Sequence, residues 1–292
     1  MTQRALEAQI RAVTGQAFQT ARAVPIGGGC INQAQRLEGV DGRRYFVKFN
    51  RAEHADMFAA EAEGLEALAQ AGGVRVPEVI GTAELGGQVA LILEYLDLGG
   101  RPDPERLGEG LARTHAHRAE AFGWHRDNTI GSTPQPNPWT ADWTAFWRDH
   151  RLNHQLNLAA GRGLDARTVE RGRRLAEQLA AFFADAPPVP SILHGDLWGG
   201  NCAGTPSSEP VLFDPAVYYG DREADLAMTE LFGGFSGRFY AAYDGVWPRG
   251  PAYPARRTLY NLYHVLNHYN LFGGGYGAQA GRMIDQLLSE AG

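Results

Sequence analysis

The sequence predicts an α+β chain in two parts. A small antiparallel β-sheet with one main helix occupies residues 1–96, and a larger, mainly helical part occupies 97–292. Three observations carry this reading. Strand-like runs crowd the first hundred residues, the stretch GGRPDP at 99–104 closes them, and helical periodicity dominates the remainder of the chain. With 292 residues, 44% hydrophobic and 21% charged, the chain is long enough to bury a core in each part.

The elements are taken in chain order. The opening MTQRALEAQIRAVTG repeats Leu6, Ile10 and Val13 at helical spacing, so it reads as an amphipathic helix and lacks the apolar centre of a signal peptide. ARAVPI (21–26), AQRLEGV (34–40) and RRYFVKFN (43–50) read as three consecutive antiparallel strands, with Asp41 and Gly42 turning the second into the third. MFAAEAEGLEALAQA (57–71) places Phe58, Leu65 and Leu68 on one helical stripe and stops at Gly72 and Gly73. VPEVIGTAEL and QVALILEYL then complete a five-stranded sheet. Beyond it, Asp103 and Pro104 suit the cap and first turn of a helix. Further helices are expected at 139–160, 166–186, 222–233, 255–272 and 278–290. Two short apolar strands, Ser191 to Leu193 and PVLFDPA at 210–216, are expected to form a hairpin. GGGYGAQAG (273–281) imitates a dinucleotide-binding loop, but it succeeds a helical run where that fingerprint requires a strand, so it reads as a helix stop and restart.

Several functions are disfavoured. A formal charge of −6 offers no basic footprint for nucleic acid, and no apolar run approaches the roughly 18 residues that span a bilayer. Two cysteines, Cys30 and Cys202, are too few for a disulfide framework, so a reducing cytoplasm is the expected compartment. The histidines His115 and His117, and His264 and His268, lie close enough in sequence to suggest a metal. The second pair has Val265 where a zinc protease motif needs glutamate, so all four read as surface or hydrogen-bonded core histidines.

The chemistry lies elsewhere. Phosphoryl transfer from ATP requires a cover over the phosphates, a cation on them, oxygen ligands for Mg²⁺ and a carboxylate to take the acceptor's proton. The glycine loop Gly27, Gly28, Gly29 and Cys30, set between two strands, lets backbone N–H groups approach phosphates. Lys48 sits in an apolar strand, where its charge requires a partner, and Glu61 or Glu63 on the next helix can supply one. In HGDLWGGN, Asp196 is placed to deprotonate an acceptor hydroxyl and Asn201 to ligate Mg²⁺, while Asp214 after the strand VLF supplies a second ligand.

HGDLWGGN together with LFDPAVYYGDREADLAMTELFGGF (212–235) resembles the fructosamine kinase family, the ketosamine-3-kinases among the aminoglycoside-phosphotransferase-like kinases. GGGCIN, YFVKFN, LILEYL, NTIGSTPQPN and DWTAFWRDHRL fall in the family's order. The resemblance implies a bilobal protein-kinase-like fold and a kinase using ATP and Mg²⁺. It assigns Lys48 and Glu61 to the phosphate anchor, Asp196 to the base, and Asn201 and Asp214 to the metal. Glu94, Tyr95 and Leu96 match the hinge whose backbone binds adenine. Asp225 matches a carboxylate bracing the catalytic loop, and His194 shapes the approach to Asp196. Asn32 stands where other members often carry serine.

The resemblance further implies an acceptor: the 3-hydroxyl of a ketoamine, either a small molecule or a glycated lysine, whose phosphorylation initiates deglycation. Trp198, two residues beyond the base, suits the flat apolar face of a sugar, and Gln135, Asn137 and Trp143 match a family segment as weaker substrate candidates. Cys30, near a lysine in a glycine loop, is a candidate redox switch, so a monomer or a redox-dependent homodimer is expected. The rivals are an aminoglycoside or choline kinase of the same fold and a catalytically inactive kinase-like binding protein. The presence of Lys48, Asp196, Asn201 and Asp214 together argues against the last.

Overall fold

The computed structural model describes residues 2–27, 33–184, 187–233 and 235–291. They divide into two compact units: Met1–Asp103 with Cys202–Pro215, and Pro104–Asn201 with Ala216–Gly292.

The first unit begins with α1 (Thr2–Thr14), then β1 (Thr20–Ile26), β2 (Gln33–Gly39), β3 (Arg44–Arg51), α2 (Ala55–Ala71), β4 (Val79–Glu84) and β5 (Gln88–Glu94). The strands form one antiparallel sheet in the order β1-β2-β3-β5-β4. Strand alternation decides which side chains meet. Leu37, Tyr45, Val47, Phe49, Ala90 and Ile92 point to one face, where they pack with Leu6 and Ile10 of α1 and with Phe18. Fully burying an aliphatic side chain of this size contributes about 1.5–3 kcal/mol. Val13, expected on the same stripe, is 53% exposed. The opposite face carries Lys48, and α2 buries Phe58, Leu65 and Leu68 as their spacing predicts. Gly72, at φ 69°, ends that helix and donates its N–H to Leu68 O.

The second unit opens with α3 (Pro104–His115), a hairpin of β6 (Asn128–Ile130) and β7 (Thr133–Gln135), then α4 (Trp143–Trp147). Asp142 caps α4 by accepting from Ala145 N at 2.7 Å. A π-helical turn, Arg148–Leu152, leads into α5 (Asn153–Gly161), and α6 (Ala166–Ala176) and β8 (Ser191–Leu193) come next. The chain then contributes β9 (Cys202–Gly204) and β10 (Pro210–Leu212) to the first unit, and returns to the second with β11 (Tyr218–Gly220), α7 (Glu223–Leu231), α8 (Gly237–Val246), α9 (Tyr253–Phe272) and α10 (Tyr276–Ala291).

Two expectations change. The division falls after Asp103 instead of after residue 96, and residues 202–215 group with the first unit, tied there by pairing of Gly100 with Gly204 and of Arg75 with Val211. The strands at 191–193 and 210–212 are not partners of each other: β8 pairs with β11, and β10 pairs with β9. GGGYGAQAG does contain a helix stop and restart, with α9 ending at Phe272 and α10 beginning at Tyr276. Among the described residues, no helix is long and apolar enough to cross a membrane.

Candidate active site

In the first unit, Lys48 lies mid-strand in β3, opposite Ala34 and Leu91, and is 6% exposed. A buried ammonium requires paired acceptors. Lys48 Nζ donates to Glu61 Oε1 at 2.6 Å and to Asp214 Oδ1, so the pair forms with Glu61 of α2. Burial favours the neutral amine, but the two carboxylates outweigh it and push the Lys48 pKa up, leaving the group charged. The same burial raises Glu61, with Lys48 opposing and Asp214 reinforcing the shift. Asp214 is about half exposed and adopts φ 57°, a left-handed conformation unusual for a residue with a Cβ. Its carboxylate belongs to the hard oxygen donors that Mg²⁺ prefers.

Glu94 ends β5 and leads directly into Tyr95 and Leu96, all three half-buried. Glu94 N donates to Glu78 O at 2.8 Å. The Glu94 carboxylate accepts from Arg75 Nη2 at 2.6 Å, and Arg75 Nη1 reaches Glu209 at 2.8 Å. Arg75 therefore joins the end of β5 to the segment that carries Asp214. Gly27 is exposed at the end of β1, whereas Gly28, Gly29, Cys30 and Asn32 lie outside the described residues.

In the second unit, β8 delivers His194, Gly195 and Asp196 into a turn whose backbone is held by one side chain. Asp225, 1% exposed in α7, accepts from His194 N at 2.7 Å and Gly195 N at 2.9 Å. His115 Nε2 lies 3.2 Å from the same carboxylate, and its Nδ1 lies 2.8 Å from Tyr243 Oη. Burial disfavours a charged Asp225, yet its bond to His115 and the attraction of His115 and His194 hold its pKa below the usual carboxylate range. Gly195 is required here. At φ 82°, a Cβ would stand 2.0 Å from Ala216 O.

Beyond the turn, the short 3₁₀ segment Gly199–Asn201 brings Asn201 back onto Asp196. Asn201 Nδ2 donates to Asp196 O at 2.9 Å and to Asp196 Oδ2 at 3.1 Å, which orients the carboxylate. With the amide nitrogen engaged by Asp196, the other polar atom of the side chain is its carbonyl oxygen, the type of atom a hard cation takes. Trp198 is 39% exposed and meets the edge of Phe232 at 6.2 Å. Gly200 allows that placement, since a Cβ there would lie 2.3 Å from the indole.

Three substrate candidates lie in the interior of the second unit. Gln135 and Asn137 are fully buried, and Trp143 is 3% exposed. Gln135 donates to Asn128 Oδ1 and Ala216 O and accepts from Tyr263, while Asn137 donates to Asn128 Oδ1 and accepts from Arg151. Trp143 donates to Tyr260 and packs among Phe122, Phe146 and Trp147. Their polar atoms hold one another, so these residues build the floor of the unit. Arg151, from the π-helical turn, falls in the family segment DWTAFWRDHRL, which gives it no role of its own. It is fully buried over the Tyr218 ring at 4.1 Å and ties Pro136 and Asn137 together. His115 is a hydrogen-bonded core histidine, one of the two readings its sequence allows. Its place at the end of a helix, with an acid destined for burial downstream, is the signal available for its role beside Asp225.

Among the described residues, no group of three His, Cys, Asp or Glu side chains could hold a metal. Cys202 is a half-buried free thiol whose pKa is pushed up to about 12 by burial, which disfavours the nucleophilic thiolate. His264 is 4% exposed, and its Nδ1 has no hydrogen bond among the described residues. Burial, with the charges of His268 and Arg151, lowers its pKa to about 3. An unfolded histidine titrates near 6.5, so between these values the unfolded chain binds the extra proton and stability falls as pH drops. His264→Leu is expected to flatten the decline of the unfolding free energy, measured by urea titration, between about pH 6.5 and 4.5, by up to about 1.4 kcal/mol per pH unit. An unchanged slope would contradict this origin.

The family profile described as fructosamine kinase matches residues 2–290. A probable ketoamine kinase from a Synechocystis strain is 48% identical over 287 residues, 96% of this chain and 95% of that protein. The chloroplastic protein-ribulosamine 3-kinase of Arabidopsis thaliana is 44% identical over 279 residues, 94% and 85% of the two chains. A crystal structure of a candidate fructosamine-3-kinase from Thermobifida fusca superposes with a TM-score of 0.85 at 32% identity, covering 97% of this chain and 98% of that one. A choline/ethanolamine kinase family protein from Mesorhizobium loti, at 17% identity and TM-score 0.63 over 100% and 98% of the chains, shares the fold.

Proposed function

This chain belongs to the fructosamine kinase family, and from that premise we propose that it transfers the γ-phosphoryl group of ATP to O3 of ketoamines, free or formed on lysine side chains. The observation that carries the proposal is the turn at 194–196, braced through its backbone by Asp225 and oriented at its carboxylate by Asn201. Such a turn presents one fixed acid. Asp196 accepts the proton of the 3-hydroxyl as the oxygen attacks phosphorus, and ADP departs. Lys48, held by Glu61, neutralises the α- and β-phosphates, and Gly27 to Cys30 cover them. Mg²⁺ supplies charge neutralisation on the phosphates when bound, with Asn201 and Asp214 as its protein ligands. Glu94 to Leu96 receive the adenine through backbone groups.

Trp198 is the substrate candidate that is accessible to a ligand, and its indole offers a face for the sugar. The product explains the benefit. The C2 ketone acidifies the neighbouring C–H, and the resulting enol expels phosphate from C3 far more readily than hydroxide; water then frees the amine. The reading places the reaction in the cytoplasm. Phosphorus–proton correlation NMR on the product of a fructosamine is expected to place phosphate on O3, with slow appearance of free amine thereafter. Phosphate on any other oxygen would refute the regiochemistry.

A further inference from the structure

The sheet of the first unit bears on how the nucleoside end of ATP is held, an inference that rests on the proposed function. Directly paired residues in an antiparallel sheet share a face. The Lys48 face therefore carries Ala34 and Leu91 beside Lys48, then Arg36, Phe46 and Leu93 one step along. The next step brings Glu38 beside Arg44, with Tyr95 continuing β5 on the same side. Lys48 and Arg44 are four residue steps apart along β3, about 13 Å. That is the reach of a nucleoside triphosphate from its phosphates to its base.

At this far end, two guanidinium groups converge on one ring. Arg36 Cζ lies 5.3 Å and Arg44 Cζ 4.7 Å from the Tyr95 centroid, and Arg36 Nη1 donates to Tyr95 Oη at 3.2 Å. Arg36 is itself aimed by Glu38 at 2.6 Å. Tyr95 is the middle residue of the segment whose backbone is assigned to the adenine. A tyrosine at the end of a strand ordinarily has free rotamers and a loose backbone. Here the ring is fixed by two cations and a hydrogen bond, so the peptide groups on either side of it are fixed as well.

We propose that Arg36, Arg44 and Tyr95 form a clamp that sets the register of the Glu94–Leu96 backbone, making Arg36 and Tyr95 positioning residues for recognition of the nucleobase. Adenine and guanine differ in the donors and acceptors on the edge a backbone strand reads. A fixed register therefore distinguishes them, and a loose one does not.

Calorimetric titration of the full chain with ATP and with GTP, beside steady-state kinetics and melting temperatures, tests this. Arg36→Ala and Tyr95→Leu are expected to weaken ATP binding about three- to tenfold, the worth of a cation–π contact and a hydrogen bond, and to narrow the preference for ATP over GTP. In Arg36→Ala, KM for the ketoamine and kcat are expected to stay within about twofold, since the Arg36 guanidinium reaches Tyr95 and Glu38 on the sheet. Tyr95→Phe, which keeps the stacking, and Arg36→Lys, which keeps the charge, are expected to recover most of the affinity. Unchanged nucleotide affinity and preference in Arg36→Ala and Tyr95→Leu would overturn the clamp, as would a fall in kcat and melting temperature in Arg36→Ala together with a rise in both KM values. The test is separable from the acceptor assignment: a wild type that binds ATP but turns over no ketoamine would refute that assignment while the calorimetry still decides the clamp.

Discussion

Replacing Asp196 by asparagine is expected to lower kcat by about 10²- to 10⁴-fold, with ATP affinity near that of the wild type. Asparagine has the same shape and keeps a carbonyl oxygen for Asn201 to donate to. The bond from Asn201 Nδ2 to the backbone O of residue 196 does not depend on the side chain at all. The turn is held from Asp225 through the N–H groups of His194 and Gly195, also independent of the substitution. The capacity to accept a proton is the property lost. ADP release measures kcat and calorimetry measures ATP affinity; a variant with kcat intact and ATP binding lost would assign Asp196 to the nucleotide instead of the acceptor.

Lys48→Met is expected to lower kcat/KM for ATP by about 10²- to 10³-fold, the usual cost of removing one preorganised charge from a transferring group. It is also expected to destabilise the fold. Methionine fills the space, but Glu61 and Asp214 then face each other without the cation both of them contact. Breaking a buried pair by removing one partner costs about 3–5 kcal/mol, and the exposure of Asp214 places this case below that range. Adding Glu61→Gln separates the two effects. The double variant is expected to regain stability in urea titration, because the buried carboxylate is gone, while catalysis stays low. Recovery of catalysis along with stability would show that Lys48 acts on the fold and not on ATP.

The residues legible in the sequence are those whose physical problem is local. Lys48 in YFVKFN announces a buried cation in need of an acid, and Glu61 answers it one helix later. Asp41 and Gly42 announce a tight turn between β2 and β3, and Gly42 adopts φ 84°. Gly72 announces the end of α2. Elements decided by distant partners are harder to read. Strands of three residues, such as Cys202–Gly204 and Tyr218–Gly220, are too short to show alternation, so the sequence suggests β8 and β10 as each other's partners in place of these. The helix Gly237–Val246 escapes detection because GRFYAAYDGV buries only Phe239 and Tyr243, too few to mark a stripe.

The same distinction explains the site. A family likeness marks NTIGSTPQPN as a shared segment but does not reveal whether Gln135 and Asn137 face a ligand or one another. Arg151 and Tyr263, distant in sequence, decide that they face inward. Asp225 is legible as a brace, yet its second partner, His115, comes from a helix 110 residues earlier. The likeness assigns Tyr95 through its backbone alone, and only sheet register brings Arg36 and Arg44 onto its ring.

The central claim is that the acceptor is a ketoamine. ADP release with a panel of fructosamines, ribulosamines and erythrulosamines, beside aminoglycosides and choline, tests it most directly. The account predicts turnover of at least one ketoamine with kcat/KM far above that for any aminoglycoside or for choline; turnover confined to the aminoglycosides or choline would contradict it.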